Sequence, residues 1–101
     1  MKFTTLDGKE MRGIRGYKGL SASNTSIFGK RFQFESGKIY EEDCEPRFKH
    51  CGFHFCLRLE DVKKFVPCAA KVVEVYALGE VEGDSEEYAT NKIYIGKEIT
   101  V

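Results

Sequence analysis

The chain has 101 residues, which is room for one hydrophobic core and too little for two. Its sixteen Lys and Arg residues balance sixteen Asp and Glu residues, so the net charge provides no general attraction to nucleic acid. No stretch approaches the roughly 20 apolar residues of a membrane span, and no apolar segment follows Met1 as it does in a signal peptide. We therefore expect one cytoplasmic domain over residues 1–101 that binds neither membranes nor nucleic acid non-specifically.

The first half of the chain is typical of short strands. Residues 11–20 carry glycines three apart among apolar residues, a pattern that favours a strand with a bulge or a close backbone approach. Residues 31–41 alternate on both sides of a Ser-Gly turn, which predicts a hairpin. Residues 52–56 alternate as well, and this alternation puts two phenylalanines on one face and His54 with Cys56 on the other.

The clearest helical signal lies at residues 59–66. Apolar residues recur there at helical spacing, acidic residues occupy the first turn, lysines occupy the last turn, and Pro67 ends the helix. The β-branched segments 71–78 and 92–95 follow and predict further strands. This order predicts an α+β domain, a compact and mostly antiparallel β-sheet with one main short helix at about 59–66. The expected core consists of apolar residues from these elements: Phe32, Phe34, Phe53, Phe55, Val62, Phe65, Val73, Val75, Ile93 and Ile95.

Two acidic runs stand out in the second part of the chain. Residues 1–40 hold eight basic and three acidic residues, whereas residues 41–101 hold eight basic and thirteen acidic ones. Acidic runs are typical of solvated loops, but they also fit a surface that attracts a basic partner, and the two oppositely charged parts could equally lie against each other. The candidate partner-binding residues are Glu41, Glu42, Asp43, Glu45, Glu82, Asp84 and Glu86.

Four cysteines and two histidines raise the question of a zinc site. Zinc would take its ligands from Cys44, Cys51, His54, Cys56 and Cys68, but the Cys44-x6-Cys51 spacing is too open for a zinc knuckle and no Cys-x-x-Cys pair occurs. His54 could instead activate Cys56 as a nucleophile, although no nucleophile elbow accompanies the pair. Thiols of a reducing compartment explain the cysteines more simply. We therefore expect no cofactor, no bound metal and no disulfide.

Four stretches together are similar to a small domain family of unknown function carried mainly by tailed phages and prophages. The resemblance spans about residues 12–100 and implies no established activity. Its segments are Gly-Tyr-Lys-Gly-Leu at 16–20, Arg-Phe-Gln-Phe-Glu-x-Gly-Lys-x-Tyr at 31–40, Gly-Phe-His-Phe-Cys at 52–56 with the helix behind it, and Ala-Leu-Gly-Glu-Val at 77–81 with Thr-Asn-Lys-Ile at 90–93.

A second likeness is to the strand–helix–strand order of mono-ADP-ribosyltransferases. Residues 15–19, 52–55 with the short helix, and 72–81 loosely resemble that order. The resemblance implies that Arg15 would hold NAD and that Glu87 or Glu86 would steady the ribosyl transition state. If the chain is an enzyme, the candidate catalytic residues are Arg15, His54 and Glu87.

The sequence thus favours a phage accessory protein that works by binding in the host cell cytoplasm. Carboxylate runs can imitate a phosphate backbone, so the expected partner is a host protein, such as a nucleic-acid-binding defence component. Inhibition of a CRISPR–Cas nuclease complex is the most concrete form of this hypothesis. The alternatives are sequestration of a nucleotide signal, an ADP-ribosyltransferase-like enzyme, and a structural adaptor domain of phage proteins.

Overall fold

The computed structural model describes residues 2–25, 33–43, 52–65, 69–83 and 87–99. Within them the chain forms short strands and one helix, in agreement with the α+β prediction. The elements are β1 (Lys2–Thr4), β2 (Glu10–Arg12), β3 (Ile14–Leu20), β4 (Ile39–Glu41), β5 (Phe53–Cys56), α1 (Leu59–Phe65), β6 (Lys71–Ala77), β7 (Val81–Gly83), β8 (Glu87–Thr90) and β9 (Lys92–Ile99).

Seven of these strands form one antiparallel sheet in the order β4-β9-β6-β3-β5-β8-β7. β1 and β2 form a separate two-stranded antiparallel pair. The mostly antiparallel architecture is therefore confirmed, and so is a short helix close to the predicted residues 59–66.

The sheet curls on itself because β8 and β9 are almost continuous. Four strand spacings separate them in the sheet order, which is ~19 Å in a flat sheet. Asn91 alone joins them, and one intervening residue spans only about 7 Å. Residues 71–83 and 87–99 thus act as one long hairpin that bends at Asn91, and the sheet acquires an inner and an outer face.

The inner face carries the main apolar cluster. Alternate residues of β6 and β5, such as Val75 and Phe55, point inward and are almost fully buried. Eight predicted core residues are buried: Phe34, Phe53, Phe55, Val62, Val73, Val75, Ile93 and Ile95. Phe32 and the side chain of Phe65 lie outside the described residues.

The outer face is covered by α1 and by the β1–β2 pair. Val62 of α1 packs with Cys56 and Val72 of the sheet. Phe3 of β1 stacks on Tyr76 with ring centroids 3.7 Å apart, and the amide of Leu6 donates a hydrogen bond of 2.8 Å to the Tyr94 hydroxyl. Across the described residues, no helix is long and apolar enough to cross a membrane.

The predicted hairpin at residues 31–41 is wrong. β4 pairs with β9 rather than with the segment before it, and Gln33 forms an isolated bridge to Thr25. The turn itself exists, since Gly37 has a φ of 89° and its amide donates to the carbonyl of Ile95 at 2.7 Å. Alternation predicted the extended backbone of β4, but the edge offered by the longer β9 determined its partner.

Candidate functional site

The two predicted acidic runs meet at the bend of the long hairpin. The backbone amide of Glu42 donates to the carbonyl oxygen of Asn91 at 2.9 Å, and the amide of Glu80 donates to Asn91 Oδ1, also at 2.9 Å. One asparagine therefore ties together two segments that lie about 40 residues apart in the sequence. Two further amides, those of Leu78 and Gly79, donate to the carbonyl of Lys92 and fix the bend.

Gly79 is needed for this junction. A Cβ atom there would collide with the Asn91 side chain and would lie 3.0 Å from Lys92 Cβ. The Ala-Leu-Gly-Glu-Val and Thr-Asn-Lys-Ile stretches are thus the two sides of one structural bend.

The side chains around the bend form a surface that we term the acidic corner: Glu41, Glu42, Asp43, Glu80 and Glu82. Of these, Glu42 is half-buried and the other four are exposed. Lys92, half-buried, stands opposite Glu41 across the β4–β9 pair. The acidic corner thus brings five carboxylate-bearing residues to the bend. The candidates Glu45, Asp84 and Glu86 lie outside the described residues.

The inner face holds a lysine that the sequence reasoning missed. Lys18 is 9% exposed, its Nζ donates to the carbonyl of His54 at 2.7 Å, and it lies 5.5 Å from the ring centroid of Phe34. Burial lowers the pKa of Lys18 to about 8, an effect that electrostatic interactions with Cys56 and Glu87 partly offset. Strand alternation was the available signal, because Lys18 shares a face with Leu20 of the core.

Lys18 lies next to the short backbone pairing between β3 and β5. β3 and β5 share the single registered pair Tyr17↔Cys56, whereas β3 and β6 share seven pairs. The Lys18 ammonium supplies a donor to the His54 carbonyl beyond that point. Gly16 allows the close approach of the same strands, because a Cβ there would lie 2.7 Å from the Cys56 carbonyl oxygen. These contacts give Gly16 and Lys18 of the Gly-Tyr-Lys-Gly stretch structural roles in the fold.

Arg15 belongs to a polar strip on the outer face. Its Nη2 lies 3.0 Å from Glu74 Oε2, and its Cζ lies 5.8 Å from the ring centroid of Tyr17. The Tyr76 hydroxyl donates to the other oxygen of the same carboxylate at 3.0 Å. Glu74 raises the pKa of Arg15, and burial together with the bond to Glu74 raises that of Tyr76.

The three candidate catalytic residues lie on the same outer face but at different registers. His54 stands opposite Ala89, so Glu87 on β8 is its diagonal neighbour at roughly 7–8 Å. Arg15 stands opposite Tyr76, four positions from His54 along the direction set by the Tyr17↔Cys56 pair, which is ~13 Å. The fold brings His54 and Glu87 near each other and leaves Arg15 with Glu74.

The zinc candidates fall only partly within the described residues. His54 and Cys56 share the outer face of β5, with Cys56 buried beneath α1 and His54 half-buried. Cys44, Cys51 and Cys68 lie outside the described residues. Among the residues that the structure does describe, no three His, Cys, Asp or Glu side chains are grouped to hold a metal ion.

Comparison with known proteins gives one match. The profile of a family described as a domain of unknown function, DUF7666, matches residues 14–101. No curated protein matches the chain, and no solved structure does. The matched range starts at β3, so it includes the whole seven-stranded sheet with α1 and leaves out β1 and β2. The chain belongs to the DUF7666 family of domains of unknown function.

Proposed function

We propose that this domain is a binding module that holds a basic surface of a protein partner at the acidic corner. The observation that carries the proposal is the junction at Asn91, where two acidic segments distant in sequence are tied to one residue. Loop charges that merely keep a protein soluble have no need of such a fixed arrangement. A rigid base also lowers the conformational entropy that the partner's binding would otherwise cost.

The chemistry of the corner suggests what the partner normally binds. A row of carboxylates on a rigid support presents negative charge as a nucleic-acid backbone does, so a protein with a phosphate-binding groove is the matching partner. We propose that the partner is a nucleic-acid-binding host defence protein, such as a CRISPR–Cas nuclease complex. In this proposal the domain is phage- or prophage-encoded and acts as an inhibitor in the host cytoplasm.

The test is capture of partners from a bacterial host lysate by three immobilised proteins. One is the natural chain, and the second carries Asp43→Lys, Glu80→Lys and Glu82→Lys at the corner. The third carries the matched reversals Glu10→Lys, Glu60→Lys and Glu98→Lys at exposed sites elsewhere. We expect the natural chain and the matched control to retain a nucleic-acid-binding protein, identified by mass spectrometry, and the corner variant to lose it.

Two further measurements make this test specific. Excess duplex DNA should release the captured protein, because both ligands compete for one groove, and 0.5 M salt should weaken capture by screening. Equal capture by the corner variant and the natural chain would contradict the proposal. So would capture that duplex DNA leaves unchanged.

The other functions expected from the sequence predict different results. An ADP-ribosyltransferase would consume NAD and lose that activity on Arg15→Ala, and a nucleotide sponge would give a calorimetric signal with a nucleotide alone. An adaptor domain of phage proteins would capture virion components rather than a host protein. Any of these results with no captured host protein would replace the proposed function.

A further inference from the structure

The two edges of the curled sheet differ in how well they are protected against pairing with another chain. Exposed sheet edges are templates for a further strand unless charge, bulges or short length blocks them. At one edge, β7 presents the exposed carboxylate of Glu82 beside half-buried Val81. At the other edge, β4 also has an exposed carboxylate, Glu41, but in addition it presents the apolar side chain of Ile39, which is 43% exposed.

Leu6 is a second exposed apolar side chain near Ile39. Ile39 stands opposite Tyr94 on β9, and the amide of Leu6 donates to the hydroxyl of that same tyrosine. Leu6 is 61% exposed and its Cδ1 lies 3.5 Å from the position of a Cβ on Gly37. Leu6 and Ile39 therefore form an exposed apolar patch next to the edge of β4.

The charges that flank β4 are antisymmetric about its central residue. Lys38 precedes Tyr40 by two positions and Glu42 follows it by two. When a second copy of β4 runs antiparallel with Tyr40 opposite Tyr40, Lys38 of each copy faces Glu42 of the other. Centring the pair one residue later would instead put Glu41 opposite Glu41, which is repulsive.

We propose that β4 pairs antiparallel with β4 of a second copy, centred on Tyr40, to form a symmetric dimer. The paired segment spans residues 38–42, so the contact is small and the dimer exchanges with monomer in a concentration-dependent way. Lys38 also pairs with Glu35 of its own chain at 2.7 Å on the surface, and a lysine ammonium has three donors with which to serve both carboxylates.

The first test is sedimentation velocity of the full chain over a range of concentrations up to about 1 mM. In the proposed register residue 39 of each copy stands opposite Glu41 of the other, so we expect the natural chain to shift from monomer to dimer and Ile39→Glu to remain monomeric throughout. Ile14→Glu is the matched control, since Ile14 is also exposed, at 46%, but begins β3. A natural chain that stays monomeric at the highest concentration overturns the proposal, and so does equal loss of dimer in the control.

A charge exchange then tests the register. Lys38→Glu alone and Glu42→Lys alone each put two like-charged pairs into the dimer, so each should weaken self-association roughly fivefold or more. In a mixture of the two variants, every introduced charge faces an opposite charge of the other copy, and the mixture should form a heterodimer about as well as the natural chain dimerises. Circular dichroism checks that each variant is folded.

The outcomes separate this proposal from the proposed function. Failure of the mixture to associate better than either variant alone overturns the pairing register. The corner reversals at Asp43, Glu80 and Glu82 leave the paired segment 38–42 unchanged. The two proposals can therefore fail independently.

Discussion

The inner and outer faces of the curled sheet are built in different ways. The inner face is one continuous apolar cluster that includes residues of β3, β5, β6 and β9. The outer face has two small clusters, one under the β1–β2 pair and one under α1. The ion pair between Arg15 and Glu74 lies on this outer face with them.

This difference indicates which face contributes more to the free energy of unfolding. A continuous cluster loses contacts on every side when one member is truncated, whereas a small cluster can open locally without disturbing the sheet. The family match starts at residue 14, so the β1–β2 pair that covers part of the outer face lies outside it. We therefore expect the inner face to dominate the free energy of unfolding.

The largest effect should come from truncating an inner phenylalanine. Phe55→Ala removes a side chain that is 2% exposed and packed within the main cluster, and large-to-small changes of this kind cost about 3–5 kcal/mol. Urea unfolding followed by circular dichroism measures the change. A loss below 1 kcal/mol would contradict the assignment of Phe55 to the dominant core.

The next largest effect is the pH dependence of stability that the buried ammonium of Lys18 causes. The pKa is lowered from 10.5 to about 8 in the folded state, so between these values the unfolded chain binds more protons and stability rises with pH. The rise attributable to Lys18 is about 3 kcal/mol at most. Lys18→Met keeps a side chain of similar length and removes this titration.

The comparison is therefore the difference in unfolding free energy between the natural chain and Lys18→Met at pH 7 and at pH 10.5. We expect the natural chain to become more stable relative to the variant as pH rises, because the penalty for a buried ammonium is fully present below pH 8 and is lost progressively between pH 8 and 10.5. A difference that does not change over this range would mean that Lys18 is solvated.

The smallest effect should come from the outer face. Phe3→Ala removes the ring stacked on Tyr76, with an expected loss of about 2 kcal/mol, less than for Phe55→Ala. Hydrogen exchange should accelerate at the amides of β1 and β2 and stay unchanged in β3 and β6. Global destabilisation equal to that of Phe55→Ala would remove the distinction between the two faces.

Periodicity predicted most of the fold, because side-chain alternation depends only on the local chain. Helical spacing located α1, and strand alternation identified the buried faces of β5 and β6. The partner of β4 could not be predicted in this way, since a strand's neighbour depends on which other edge is available after folding. The burial of Lys18 was not predicted because lysine side chains are usually exposed. The signal for a buried position was that Lys18 shares a strand face with Leu20 of the core.

The acidic residues of the candidate site could be predicted from the sequence, but their common location in the fold could not. Both acidic runs were visible in the sequence, but each was compatible with a separate solvated loop. Their meeting depends on the hydrogen bonds of Glu42 and Glu80 to Asn91, and an asparagine in a polar segment carries no sign of such a role. The same limit applies to His54 and Glu87, which are neighbours through the β5–β8 register.

The bent hairpin formed by residues 71–83 and 87–99 has a consequence for the order of folding. Its two arms are close in sequence, so their pairing closes only a short loop, whereas β3 and β6 join segments more than 50 residues apart. The hairpin can therefore form first and offer β6 and β8 as templates to which β3 and β5 add later. We therefore expect the curl to close last, between β3 and β5, because these strands are joined by one registered backbone pair and a lysine side chain rather than by a long ladder.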